Sequence, residues 1–116
     1  GNDDALESTL LPSEGGGDGS ARVFISPGEP AVALYARKLP QLPPEQAYQL
    51  WIAHDGRTIS AGTFAASEEG RAWRALRPPE PLGQIERVFV TVEPAEGSPQ
   101  PSGPEVLSGT TVPAVP

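Results

Sequence analysis

Fifteen prolines and thirteen glycines in 116 residues, short alternating apolar runs, and no sustained helical period predict an all-β fold. The expected form is an antiparallel, immunoglobulin-like β-sandwich of about seven short strands. A proline inside a helix costs roughly 3 kcal/mol, so a chain this rich in proline has little room for long helices. The length suits one domain with a modest core.

The chain opens with a stretch that looks too polar and flexible to bury much. Residues 1–20 hold Asn2, Asp3, Asp4, Glu7, Glu14, Asp18 and three consecutive glycines, and read as a flexible, acidic, Gly-rich tether. Gly1, in a chain without methionine, is compatible with a scar of tag removal. The predicted sandwich covers residues 21–109.

Residues 21–26 alternate Val23 and Ile25 against Arg22, Phe24 and Ser26, and the Pro-Gly-Glu-Pro that follows is strong turn chemistry. In 31–39, Val32, Leu34 and Ala36 oppose Ala33, Tyr35 and Arg37, as expected of a strand pairing back on the first. Pro40, Pro43 and Pro44 then favour an extended crossover. Residues 48–64, YQLWIAHDGRTISAGTF, read as a β-hairpin around which the rest is organised. Tyr48, Leu50 and Ile52 alternate with Gln49, Trp51 and Ala53, Asp55-Gly56 suits a two-residue turn, and Gly62 marks a bulge or close approach.

Beyond the hairpin, 65–77 is the one place where a short helix competes. Ser67 to Gly70 reads better as a turn before a strand over 71–76. Residues 87–93, RVFVTVE, form the clearest strand, with Val88, Val90 and Val92 opposite Phe89, Thr91 and Glu93. An arginine across the strand is the plain partner for Glu93. Residues 94–104, with four prolines, must be a loop; Val106 and Leu107 make a last edge strand, and 110–116 should fray.

Charge and composition exclude several functions. A net charge of −7 disfavours nucleic acid, which rewards clustered Lys and Arg. Without cysteine there is no disulfide, thiolate metal site or cysteine nucleophile, and no run approaches the ~20 apolar residues of a membrane helix. His54 is the sole histidine; placed beside Asp55 at a hairpin turn, it reads as a surface residue and not as the base of a triad. No metal, cofactor or catalytic residue is predicted. Among the aromatics, Trp51 is expected in the core. Trp73, with Arg71 and Arg74 beside it, is the candidate surface contact.

A series of motifs carries a family resemblance. It comprises Tyr48, Leu50 and Trp51; Gly62 and Phe64; Val90, Thr91, Glu93 and Pro94; Gly97, Ser98 and Pro99; Pro101, Gly103 and Pro104; and Leu107 and Gly109, preceded by a Leu-Pro-x-Leu-Pro lead-in at 39–43. Over about 21–109 the chain resembles the C-terminal, extracytoplasmic domain of anti-sigma-K factor-type proteins. One departure is Glu96, where the pattern usually has glycine.

The resemblance implies a non-enzymatic regulatory domain of a single-pass membrane protein, lying outside the cytoplasmic membrane. A sigma factor would be bound by a cytoplasmic segment, the membrane by a transmembrane helix, and cleavage would fall to a regulatory protease; neither segment lies in these residues. It assigns no catalytic residue to the domain. The alternative from the residues themselves is a secreted or surface-attached adhesion or carbohydrate-binding sandwich using Trp73, Tyr35 or Tyr48.

Overall fold

The computed structural model describes residues 4–15 and 17–114. The all-β expectation holds: among them there are nine strands and no α-helix. The strands are β1 (Leu6–Pro12), β2 (Ser20–Ser26), β3 (Ala31–Arg37), β4 (Gln46–His54), β5 (Arg57–Phe64), β6 (Ala72–Leu76), β7 (Ile85–Pro94), β8 (Glu105–Gly109) and β9 (Thr111–Pro113).

All pairings are antiparallel, in the order β5-β4-β7-β8-β1-β2-β3-β6, with β9 also on β1. The path doubles over at β1, whose Leu6 to Leu10 pair with β2 while Leu11 and Pro12 pair with β8. Its two ends meet without a ladder: a Cβ on Gly62 of β5 would lie 2.9 Å from Leu76 of β6. Between the layers, Leu10, Val23, Ile25, Leu34, Leu50, Ile52, Val88, Val90 and Leu107 form one buried core.

The hairpin is as the alternation predicts. His54 pairs with Arg57 across Asp55-Gly56, whose φ angles of 49° and 77° are those of a type I′ turn. The register slips between Leu50, opposite Gly62, and Trp51, opposite Ser60, leaving Ala61 as the extra residue of a bulge. Gly62 takes φ 136°, which a side chain would resist.

Three expectations are corrected. Residues 6–12, assigned to the tether, are a strand inside the sheet. Their apparent polarity is absorbed locally: Glu7 pairs with Arg22 at 3.5 Å, and buried Ser8 donates to the Thr110 carbonyl at 2.6 Å. Residues 111–113 of the expected tail form β9 against Leu6, Glu7 and Ser8. Finally, β8 is not an edge, since it lies between β7 and β1; the edges are β5 and β6.

Candidate functional site

Strand alternation gives β4 two buried faces. Tyr48, Leu50 and Ile52 enter the inter-layer core, where Tyr48 stacks on Phe64 at 5.5 Å and donates its hydroxyl to the Pro40 carbonyl at 2.7 Å. Gln49 and Trp51 leave from the opposite face, as do Phe89, Thr91 and Glu93 of β7. All five are buried there, and residues 94–104 fold back onto Gln49 and Glu93.

The chemistry of that second layer is a chain of hydrogen bonds. Trp51, 0% exposed and stacked beside Phe89, donates Nε1–H to Thr91 Oγ1 at 2.8 Å. The Thr91 hydroxyl donates in turn to Glu93 Oε2 at 2.6 Å. Oε2 also accepts the backbone N–H groups of Ser102 and Gly103, at 3.0 and 3.1 Å, while Oε1 accepts the hydroxyls of Ser98 and Ser102, at 2.9 and 2.5 Å. Gln49 grips the same loop, its Oε1 accepting Ser98 N–H at 2.9 Å and its Nε2 donating to the Ser98 carbonyl and to Ser60 Oγ. At the rim, the Arg87 guanidinium covers Phe89 at 4.1 Å and pairs with Glu105.

Glu93 is only 2% exposed, and no arginine pairs with it, contrary to expectation. Burial alone would raise its pKa; the hydroxyls of Ser102 and Thr91 and the amides of Ser102 and Gly103 overcome this and hold it at about 2. The carboxylate is therefore a fixed anion whose lone pairs organise the loop.

Most of the remaining motif residues serve this cover or the core beneath it. Gly103 packs so closely that a Cβ would lie 1.7 Å from the Val92 carbonyl oxygen, and the Pro104 carbonyl accepts the Val92 N–H at 3.0 Å. Pro94 accepts Gly97 N–H at 2.8 Å, closing a four-residue turn. Glu96 sits exposed inside that turn, and the left-handed conformation falls on Gly97, so glutamate is accommodated where the pattern has glycine. Val90 pairs with both Leu50 and Leu107 in the core, and Gly109 ends β8 against Val88.

His54 corrects another expectation. It is 1% exposed, turned under residues 80–84 instead of out to solvent. Its Nδ1 accepts the Gly83 N–H at 3.0 Å, so the neutral ring carries its proton on Nε2. Nε2 lies 3.2 Å from Glu80 Oε2, out of line for a hydrogen bond, and Glu80 is engaged by Arg57. With Nδ1 occupied and the ring buried, His54 is a strut between the hairpin tip and the 80–84 segment.

Of the candidate surface residues, Trp73 is 58% exposed, and Arg71 and Arg74 are exposed with it on or beside edge strand β6. They are not near the Glu93 cluster; the fold puts them on the other layer. Tyr48 is buried and drops out as a surface contact. Sequence reasoning missed Gln49, Ser98 and Ser102 as partners in the network. The available signal was a glutamine set between Tyr48 and Leu50 in an otherwise apolar strand.

The family model "Anti-sigma-K factor rskA, C-terminal" matches residues 3–106. The chain belongs to this anti-sigma-K factor C-terminal family. A curated relative, "Anti-sigma-K factor RskA" of Mycolicibacterium vanbaalenii, is 32% identical over 88 residues, covering 76% of this chain. The chain spans 36% of that relative's length. No solved structure matches. Because the family match starts at residue 3, β1 falls within the anti-sigma-K C-terminal domain, in keeping with its place in the sheet. No helix among the described residues is long and apolar enough to cross a membrane.

Proposed function

We propose that this chain is the extracytoplasmic, non-catalytic regulatory domain of a single-pass membrane anti-sigma factor that restrains an extracytoplasmic-function sigma factor. The observation that carries the reading is the use made of the family's motif residues. Trp51, Thr91 and Glu93 are spent on one another and on holding residues 98–103, and none faces solvent as a reacting group would. The one histidine has its acceptor nitrogen occupied by Gly83. A domain whose buried Gln49, Thr91 and Glu93 brace its own shape suits a part that presents or shields a surface.

In this reading the sigma factor and the membrane are engaged by segments on the N-terminal side of these residues, and a regulatory protease acts on the whole protein. Reporter fusions to the full-length protein test it. Alkaline phosphatase joined after residue 116 should be active and green fluorescent protein dark, and the segment preceding this domain should co-purify with a sigma factor. A fluorescent fusion with silent phosphatase, or a full-length protein without a membrane segment, would overturn the proposal.

A further inference from the structure

The outer face of β2, β3 and β6 is the reverse of the covered one. Phe24, Tyr35 and Trp73 stand in a row across it, 38%, 46% and 58% exposed. Phe24 and Tyr35 meet edge-to-face at 6.2 Å, and Tyr35 and Trp73 at 5.9 Å. Tyr35 lies opposite Trp73 in the ladder and opposite Arg22 on its other side. Because β6 is an edge, no further strand shades Trp73.

The charges divide unevenly around this row. Three of the eight basic residues are matched: Arg22 with Glu7, Arg57 with Glu80, and Arg87 with Glu105. The other five, Arg37, Lys38, Arg71, Arg74 and Arg77, have no ion pair among the described residues, and all lie on β3 or β6 or just beyond an end of one. Of these, Arg37, Lys38 and Arg71 gather at one end of the aromatic row, whereas Arg77 lies past the other end of β6 and Arg74 shares the register of buried Leu34. Between the strand ends, Ala36, Arg37, Lys38, Glu69 and Arg71 line an open groove of about 470 Å³. Lys38 enters it through a left-handed backbone, φ 57°, steadied by the Leu39 N–H to Gly70 carbonyl bond at 3.0 Å.

We propose that this face binds an acidic carbohydrate, a chain of sugars bearing carboxylate or phosphate groups. The C–H face of a sugar ring carries slight positive charge and is attracted to the electron-rich faces of Trp73 and Tyr35. The acidic groups reach Arg37, Lys38 and Arg71, guanidinium being suited to forked contacts with carboxylate and phosphate. Glu69 in the groove is placed to accept from sugar hydroxyls between the acidic groups. The rings also pack against one another along the sheet face and do not project as a membrane-inserting tip would. The inference stands apart from the regulatory reading, since it requires only that this face be open.

Polygalacturonate, with dextran as the neutral control, tests the proposal on the 116-residue chain. Tryptophan emission is a suitable readout, since Trp51 is buried and Trp73 is not. Saturable binding to polygalacturonate but not dextran is expected at low salt, weakening about tenfold or more near 0.5 M salt. Followed by calorimetry, Trp73→Ala and the double variant Arg37→Ala with Arg71→Ala should each weaken binding at least about fivefold. Arg57→Ala, on the opposite hairpin, should bind as the parent does. Absence of saturable binding, or equal binding by the parent and both face variants, overturns the proposal. So does preferential binding to vesicles of phosphatidylglycerol and phosphatidylcholine in about equal parts, which would make the face a membrane contact.

Discussion

The two layers present outer faces with similar ingredients and opposite fates. On β4 and β7, Trp51 and Phe89 are buried beside Gln49 and Glu93, which hold residues 98–103; on β2, β3 and β6, Phe24, Tyr35 and Trp73 remain open. Both faces hold an aromatic row with an arginine over one ring, Arg87 on Phe89 and Arg22 on Phe24. The difference lies in Gln49 and Glu93, which supply buried acceptors for a proline-rich loop that makes few backbone bonds of its own, with Thr91 donating to Glu93 from below. The open face has no comparable buried carboxylate, and no loop is tied down over it. An aromatic strand face is therefore covered when a loop's polar backbone can be satisfied on it, since a buried amide without a partner costs about 1–3 kcal/mol.

The widest separation between the faces is expected from the tryptophans. Trp51→Ala removes a buried ring and the donor to Thr91, and should cost about 4 kcal/mol of unfolding free energy by denaturant titration. A cost under about 1 kcal/mol would mean the cover contributes little to the fold. Glu93→Gln comes next, because the uncharged amide keeps only one of the two acceptor oxygens that hold the loop and loses the charge that strengthens each bond to it. It should lose about 3 kcal/mol and shift Trp51 emission to the red as the loop lifts. Unchanged stability and emission would refute the role given to the carboxylate.

Acid should reproduce part of that effect. The folded pKa of Glu93, about 2, lies below the usual 4.5, so its contribution is present in full above the unfolded value. It is lost as pH falls from about 4.5 through about 2, amounting to about 3 kcal/mol. The loss over that window should shrink in Glu93→Gln, and an equal acid sensitivity in both proteins would place its origin elsewhere. The smallest effect belongs to the open face, where Trp73→Ala should change stability by less than about 1 kcal/mol. A larger loss would show that the exposed row serves the fold.

Periodicity made β2 through β7 legible. The hairpin, its Asp55-Gly56 turn and the bulge at Gly62 follow from residue types alone, since period-two burial and left-handed backbone leave strong local marks. β1 left no such mark. Its inward positions are Leu6, Ser8 and Leu10, and its Glu7 is matched by a residue fifteen positions away in sequence. His54 was misleading for a similar reason: its neighbours describe a turn, while its burial comes from residues 80–84, which nothing in the hairpin announces.

By itself the sequence determined the β class, the hairpin and the family motif series, because these rest on alternation, turn chemistry and the order of residues along the chain. Only the tertiary structure decided what the motif does. Trp51, Thr91 and Glu93 sit on the side of their strands opposite the core, and alternation alone would give that side to solvent. Their burial depends on a loop closing over them, and that closure is a long-range match of donors to acceptors. The same rule left Trp73 in the open, on a face where no such match exists.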